Sequence, residues 1–238
     1  MNYPSLFSPL QIGPYQLRHR LVMAPLTRMR AEKPSLAPRP LNAEYYAQRT
    51  TPGGLIIAEA SPVVATGFGS PGVPGIYSEQ QIKGWCEVVD AVHAKGGVIF
   101  LQLWHVGRVS HSSFQPGRVL PVAPSAVAIP ADLKTMTADG TVVSYETPRA
   151  LETSEIPGVI DAYRQAAPNA LKAGFDGVEI HGANGYLIEQ FLQSRSNQRT
   201  DQYGGGIENR VRLLMEITKG AIEVWGADRV AIDRKSVV

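Results

Sequence analysis

The sequence predicts an α/β fold: a (β/α)8 TIM barrel, incomplete, with about five of its eight strand-helix units present. Three observations predict it. Short apolar runs alternate with amphipathic helical stretches along the 238 residues, which implies parallel strands joined by right-handed crossovers. The run Val98 to Trp104 (VIFLQLW) is almost wholly apolar, as in a parallel strand covered on both faces. An open doubly wound sheet would satisfy both facts. The third observation separates the two. Polar residues return where successive strands end, at Thr27 and Arg28, at Glu59, at Gln102, and at His181 with Asn184, and barrel enzymes gather their chemistry at that face.

The elements follow in order. Leu21 to Pro25 reads as the first strand, then a Pro-rich loop and a helix around Asn42 to Arg49. Leu55 to Ala60 is the second strand. Ser78 and Gln81 form a capping-box pattern, and Ile82, Trp85, Val89 and Val92 recur at helical spacing until Gly96-Gly97. After the third strand, residues 105–152 form an insertion of loop with a small hairpin near Thr141 to Ser144. The next helix starts near Ser154 and runs to Gly174, with Pro157 in its first turn and Pro168 inside. An interior proline predicts a kink or a cost of about 3 kcal/mol. Gly177 to His181 is the fourth strand, Ile207 to Trp225 one long amphipathic helix, and Arg229 to Ile232 opens a fifth strand. The expectation is a single domain, residues 1–238, forming the N-terminal portion of a barrel.

Hydrophobic residues make up 44% and charged residues 18% of the chain, and 23 Lys and Arg stand against 21 Asp and Glu. This is the composition of a soluble globular domain, and nothing in the charge calls for nucleic acid or an anionic membrane. The single cysteine, Cys86, cannot form an internal disulfide, in keeping with a cytoplasmic location; it reads as a small apolar residue on a helix. Pro4 and Pro9 interrupt an N-terminus that lacks signal-peptide character.

His181-Gly-Ala-Asn184-Gly-Tyr186 is the most informative segment. An imidazole and a carboxamide on one tight turn can converge on an oxygen and stabilise negative charge there, and the Tyr186 phenol can donate a proton. The same residues also serve as an ordinary turn, with a strand-end histidine and a core aromatic. Gly67-Phe-Gly69-Ser-Pro-Gly72 matches a dinucleotide-binding pattern, but Pro71 and Pro74 deny it the helix that must follow. Tyr203-Gly-Gly-Gly lacks the lysine of a P-loop. His105 and His111 have no metal ligand at suitable spacing, so no metal is expected. Arg199, Asp201, Glu208 and Arg210 read as ion pairs around a loop.

Four segments taken together, Met23-Ala-Pro-Leu-Thr27-Arg28, Leu101-Gln-Leu-Trp104-His-Val-Gly-Arg108, His181-Gly-Ala-Asn184-Gly-Tyr186-Leu and Arg199-Thr-Asp-Gln-Tyr203-Gly-Gly, resemble the Old Yellow Enzyme family. The resemblance implies an FMN-containing barrel that moves hydride from NAD(P)H to activated alkenes, such as α,β-unsaturated carbonyls, or to nitro compounds. It implies that Pro25, Leu26, Thr27, Ala58, Gln102 and His181 contact the flavin. It further implies that His181 and Asn184 hold the substrate oxygen, and that Tyr186 protonates carbon. Trp104 would line the substrate pocket, or serve as a packed strand-end aromatic.

The departure lies at the C-terminus. Asp233 stands where the family carries an arginine facing the flavin, with Arg234 one residue out of step, and strands six to eight have no counterpart before Val238. A phosphate site commonly follows the last strands of such barrels. The expectation is therefore either an FMN-dependent ene-reductase whose barrel is completed elsewhere, or a non-catalytic fragment unable to retain FMN. In both cases open sheet edges favour self-association.

Overall fold

A computed structural model of the protein describes residues 3–234. In chain order its elements are β1 (Leu10–Ile12), β2 (Tyr15–Leu17), β3 (Val22–Met23), α1 (Pro40–Arg49), β4 (Leu55–Pro62), α2 (Glu79–His93), β5 (Val98–Trp104), β6 (Val122–Ala123), β7 (Lys134–Met136), β8 (Val142–Ser144), β9 (Arg149–Ala150), α3 (Ile156–Lys172), β10 (Gly177–His181), α4 (Leu187–Leu192), α5 (Ile207–Arg210), α6 (Arg212–Trp225) and β11 (Val230–Asp233). The main sheet runs β11-β10-β5-β4-β3, and every pair in it is parallel. That order follows the chain without reversal. A doubly wound sheet reverses direction at a switch point; a barrel wall does not, and this sheet is part of one.

Alternating residues line its two faces. Leu55, Ile57 and Phe100 pack with Leu17 of the β1–β2 hairpin at the base of the inner face. Ile56, Leu101, Leu103, Val178 and Ile180 join Trp85, Val88, Tyr163 and Ile217 from the covering helices. The expected capping box at Ser78 and Gln81 starts α2. Cys86 lies on this helix, partly buried against the core.

Several expectations need correction. The first barrel strand is only Val22–Met23, and Leu21 is exposed. Pro168 does not interrupt α3, which is continuous from Ile156 to Lys172; the proline is on the exposed side, where water can satisfy the carbonyl it leaves free. The long helix over 207–225 is two helices separated at Val211, with Arg210 bonded to the Leu192 carbonyl and Arg212 to that of Gln202. The hairpin in the insertion is β7–β8, joined by a parallel β6–β9 pair. Residues 235–238, part of the divergent C-terminus, lie outside the described residues.

Among the described residues β3 and β11 are the sheet edges, and Leu21, Val22 and Ile232 are exposed beside them. No helix among these residues is long and apolar enough to cross a membrane.

Candidate active site at the strand ends

The C-terminal ends of β5 and β10 carry three rings in mutual contact. Trp104 is the last residue of β5 and His181 the last of β10, both buried. Tyr186 follows on the turn leading into α4. Its ring meets Trp104 edge to face at 4.8 Å between centroids, and His181 lies 5.1 Å from Tyr186 and 6.3 Å from Trp104. Edge-to-face contact at this spacing holds aromatic rings in fixed relative orientation. The turn itself is specified by Asn184, at φ +59°, and Gly185, at φ +76°; asparagine tolerates this left-handed region better than most residues. Asn184 is exposed at its tip. Burial, and then the neighbouring Tyr145 phenol, pushes the Tyr186 hydroxyl above its ordinary value. A phenol so placed remains protonated near neutrality and is equipped to donate.

Below the rings the inner wall is polar. Gln102 Nε2 donates to Glu179 Oε1 at 2.8 Å and to Asp233 Oδ2 at 3.5 Å. Asp233 ends β11 in register with His181. Its carboxylate lies 2.7 Å from His181 Nδ1 and accepts the Gly182 N–H at 2.6 Å. Burial, reinforced by the Asp233 charge, raises the Glu179 carboxyl above the usual range. Arg234 is exposed.

On the other flank, the segment leaving β3 carries Pro25, Leu26 and Thr27, of which Leu26 is exposed and the other two half-buried. Ala58 is not brought to this site. It is fully buried in the core on the helix side of the sheet, with Ile56, Tyr46 and Trp85. A register shift in β4 between Ala58 and Ser61 instead sets Ala60 on the other face, packed with Trp104, Phe68 and Val73. Such bulges turn side chains to a new face.

The segments set aside as non-catalytic have structural tasks. The glycine-rich stretch 67–72 packs against the loop after β5, where a Cβ on Gly69 would fall 2.2 Å from the Val109 carbonyl oxygen. His105 is fully buried, accepts the Gly107 N–H, and is held neutral by burial, with its pKa lowered to about 4. Arg199 binds Asp201 and the carbonyls of Pro124 and Leu151, tying the loop after α4 to the insertion. Glu179 and Tyr145 are the site residues without a signal of their own in the sequence: one is a single charge within a strand and the other an aromatic inside the insertion.

Does this wall suit a flavin? Trp104 Nε1 is buried with no hydrogen-bond partner among the described residues, a donor awaiting an acceptor. Together with the His181 imidazole it gives donors that fit the carbonyl-rich edge of such a ring, while the Gln102 N–H groups are directed at Glu179 and Asp233, which leaves the Gln102 carbonyl oxygen to accept from a ring N–H. The Asp233 carboxylate does not fit the part of the wall where the resemblance calls for an arginine.

Fold and site together define a parallel β/α-barrel with an acid–base cluster at its strand ends. The chain belongs to the NADH:flavin oxidoreductase / NADH oxidase family, whose model matches residues 5–237. It is 52% identical over 227 residues to 12-oxophytodienoate reductase 7 of Oryza sativa subsp. japonica, covering 95% of this chain and 57% of the relative. A flavin oxidoreductase of Emericella nidulans is 50% identical, covering 95% of this chain and 58% of that protein. Morphinone reductase in complex with tetrahydroNAD superimposes with a TM-score of 0.90 at 51% identity, covering 97% of this chain and 63% of that one. The old yellow enzyme homologue from Zymomonas mobilis superimposes with a TM-score of 0.90 at 47% identity, covering 96% and 62%. The chain thus spans somewhat under two thirds of the length of these relatives.

Proposed function

We propose that the chain carries the substrate-holding and proton-donating part of an FMN-dependent oxidoreductase that passes hydride from NAD(P)H to activated alkenes, chiefly α,β-unsaturated carbonyls, or to nitro compounds. The observation that carries this reading is the contact of Trp104, His181 and Tyr186 at the ends of adjacent strands. Bound FMN supplies the two-electron store that accepts and releases hydride. The protein's own residues do the rest. Gln102, Thr27 and the Pro25–Leu26 backbone hold the cofactor, His181 and Asn184 draw electron density onto the substrate oxygen, and Tyr186 delivers a proton to the carbon next to the carbonyl carbon.

A second reading has its own support: the Asp233 carboxylate beside His181 and Gln102 would oppose the negative charge of a reduced flavin. On that reading the chain is a non-catalytic fragment that does not retain FMN. The exposed edges β3 and β11 support self-association as a partner interaction. Purified protein should show a stoichiometric flavin absorbance that bleaches on adding NADPH or NADH. Protein free of flavin that takes up none on incubation with FMN would sink the enzymatic reading and leave the second.

A further inference from the structure

Glu59 is wholly buried and takes no part in the chemistry above. It sits in the bulged stretch of β4, where Ala58 pairs with Leu101 but the next paired residue, Ser61, already faces Leu103. In regular alternation Glu59 would follow Leu55 and Ile57 onto the inner face. The bulge instead directs it toward α1 and the segment leaving β3. There Glu59 Oε2 accepts the Arg28 N–H at 2.9 Å, and Glu59 Oε1 accepts from Tyr46 Oη at 3.3 Å and Asn42 Nδ2 at 3.5 Å. Tyr46 in turn accepts the Glu59 N–H at 2.8 Å. The nearby Arg28 guanidinium lies over the Tyr45 ring, 4.9 Å from its centroid.

Burying a carboxyl without an ion-pair partner is costly, so its presence calls for a reason. Three donors converge on this point, and above about pH 7, where the group is ionised, a carboxylate offers two oxygens with lone pairs for all of them. A glutamine of the same shape would offer one oxygen and add two N–H groups that need acceptors. The bond to Arg28 is the one that ties the site together, because Arg28 directly follows Pro25, Leu26 and Thr27. Among the described residues that segment has no strand partner after Met23.

We infer that Glu59 is the positioning residue for the Pro25–Arg28 segment, fixing from the bulge of β4 the backbone that would lie against the flavin ring. The inference rests on the flavin reading for its purpose, and on geometry alone for the anchoring.

The test uses the full chain, with FMN as the probe. Amide exchange should show Arg28 protected in the wild type, more strongly once FMN is added. Glu59→Gln should keep the circular dichroism spectrum, lower Arg28 protection about 10-fold and raise the Kd for FMN by a similar factor. Equal exchange at Arg28 and an unprotected loop amide in the wild type would overturn the anchoring, even if the variant failed to fold. Unchanged FMN affinity in a folded Glu59→Gln protein would overturn the positioning role. If the wild type bound no FMN, that role would fall with the flavin reading, while Arg28 exchange would still decide the anchoring.

Discussion

The two flanks of the site bury carboxyl groups in opposite ways. On the β3–β4 flank, Glu59 is turned away from the inner face and surrounded by neutral donors. On the β10–β11 flank, Glu179 and Asp233 stand on the inner face and share the Gln102 amide, and Asp233 lies against His181. The first arrangement organises backbone; the second sets the charge felt by whatever the barrel holds. A carboxylate's place relative to one β-bulge decides which of these it does.

The largest expected effect lies on the β10 flank. Tyr186→Phe should lower the rate of alkene reduction by about 10²- to 10⁴-fold with little change in KM, read by steady-state kinetics with a cyclic enone. Equal kcat in the two proteins would remove Tyr186 as proton donor. On the opposite flank the effect is on stability. Burial raises the Glu59 carboxyl from an ordinary value near 4.5 to about 7, so the folded protein keeps a proton that the unfolded chain has released. The stability this proton provides is fully present below about pH 4.5 and is lost as pH rises through about 7, by at most about 3 kcal/mol. Denaturant unfolding at pH 5 and pH 8 should show a smaller loss in Glu59→Gln than in the wild type. The smallest effect comes from Asp233→Asn, which keeps an acceptor for the Gly182 N–H and removes the charge. It should tighten reduced FMN relative to oxidised by about 10-fold, seen as a rise of about 30 mV in midpoint potential. An unchanged potential would mean that this carboxylate does not face the flavin.

Much of the wall could be read directly from the residues. Val98 to Trp104 and Gly177 to His181 fall on strands with those bounds: the first shows the almost wholly apolar run of a covered parallel strand, and the second is short, β-branched at Val178 and Ile180, and set between a glycine and a turn. The capping pair at Ser78 and Gln81 is local chemistry and is found where the sequence places it. Less legible features are those in which tertiary contacts override local pattern. Six residues, Leu187–Leu192, are too few to display helical periodicity, yet they form α4 with Leu187, Ile188 and Phe191 buried. The break at Val211 is flanked by two arginines bonded to carbonyls remote in sequence, and no periodicity registers that. Ala58, implied by the resemblance, lies with Ile56 on the helix side, as alternation from Leu55 and Ile57 requires; the shift after it, which gives the inner position to Ala60 in place of Glu59, leaves no mark in the residue pattern. The turn at Gly13-Pro14 did offer a signal for the hairpin around it, since Gly-Pro between short apolar stretches marks a chain reversal.

That hairpin bears on the order in which the protein is built. Tyr15 donates its hydroxyl to the Asp176 carbonyl just before β10, the Arg18 N–H reaches the Gly53 carbonyl before β4, and Gly13 lies so close to Asp228 that a Cβ would fall 2.1 Å from its carbonyl oxygen. The first and third of these contacts join the start of the chain to stretches more than 150 positions downstream. Pairings so distant in sequence close slowly. On the ribosome, the contacts of Gly13 and Tyr15 therefore cannot close until Asp228 and Asp176 have emerged, although Leu17 meets Leu55, Ile57 and Phe100 much nearer in sequence.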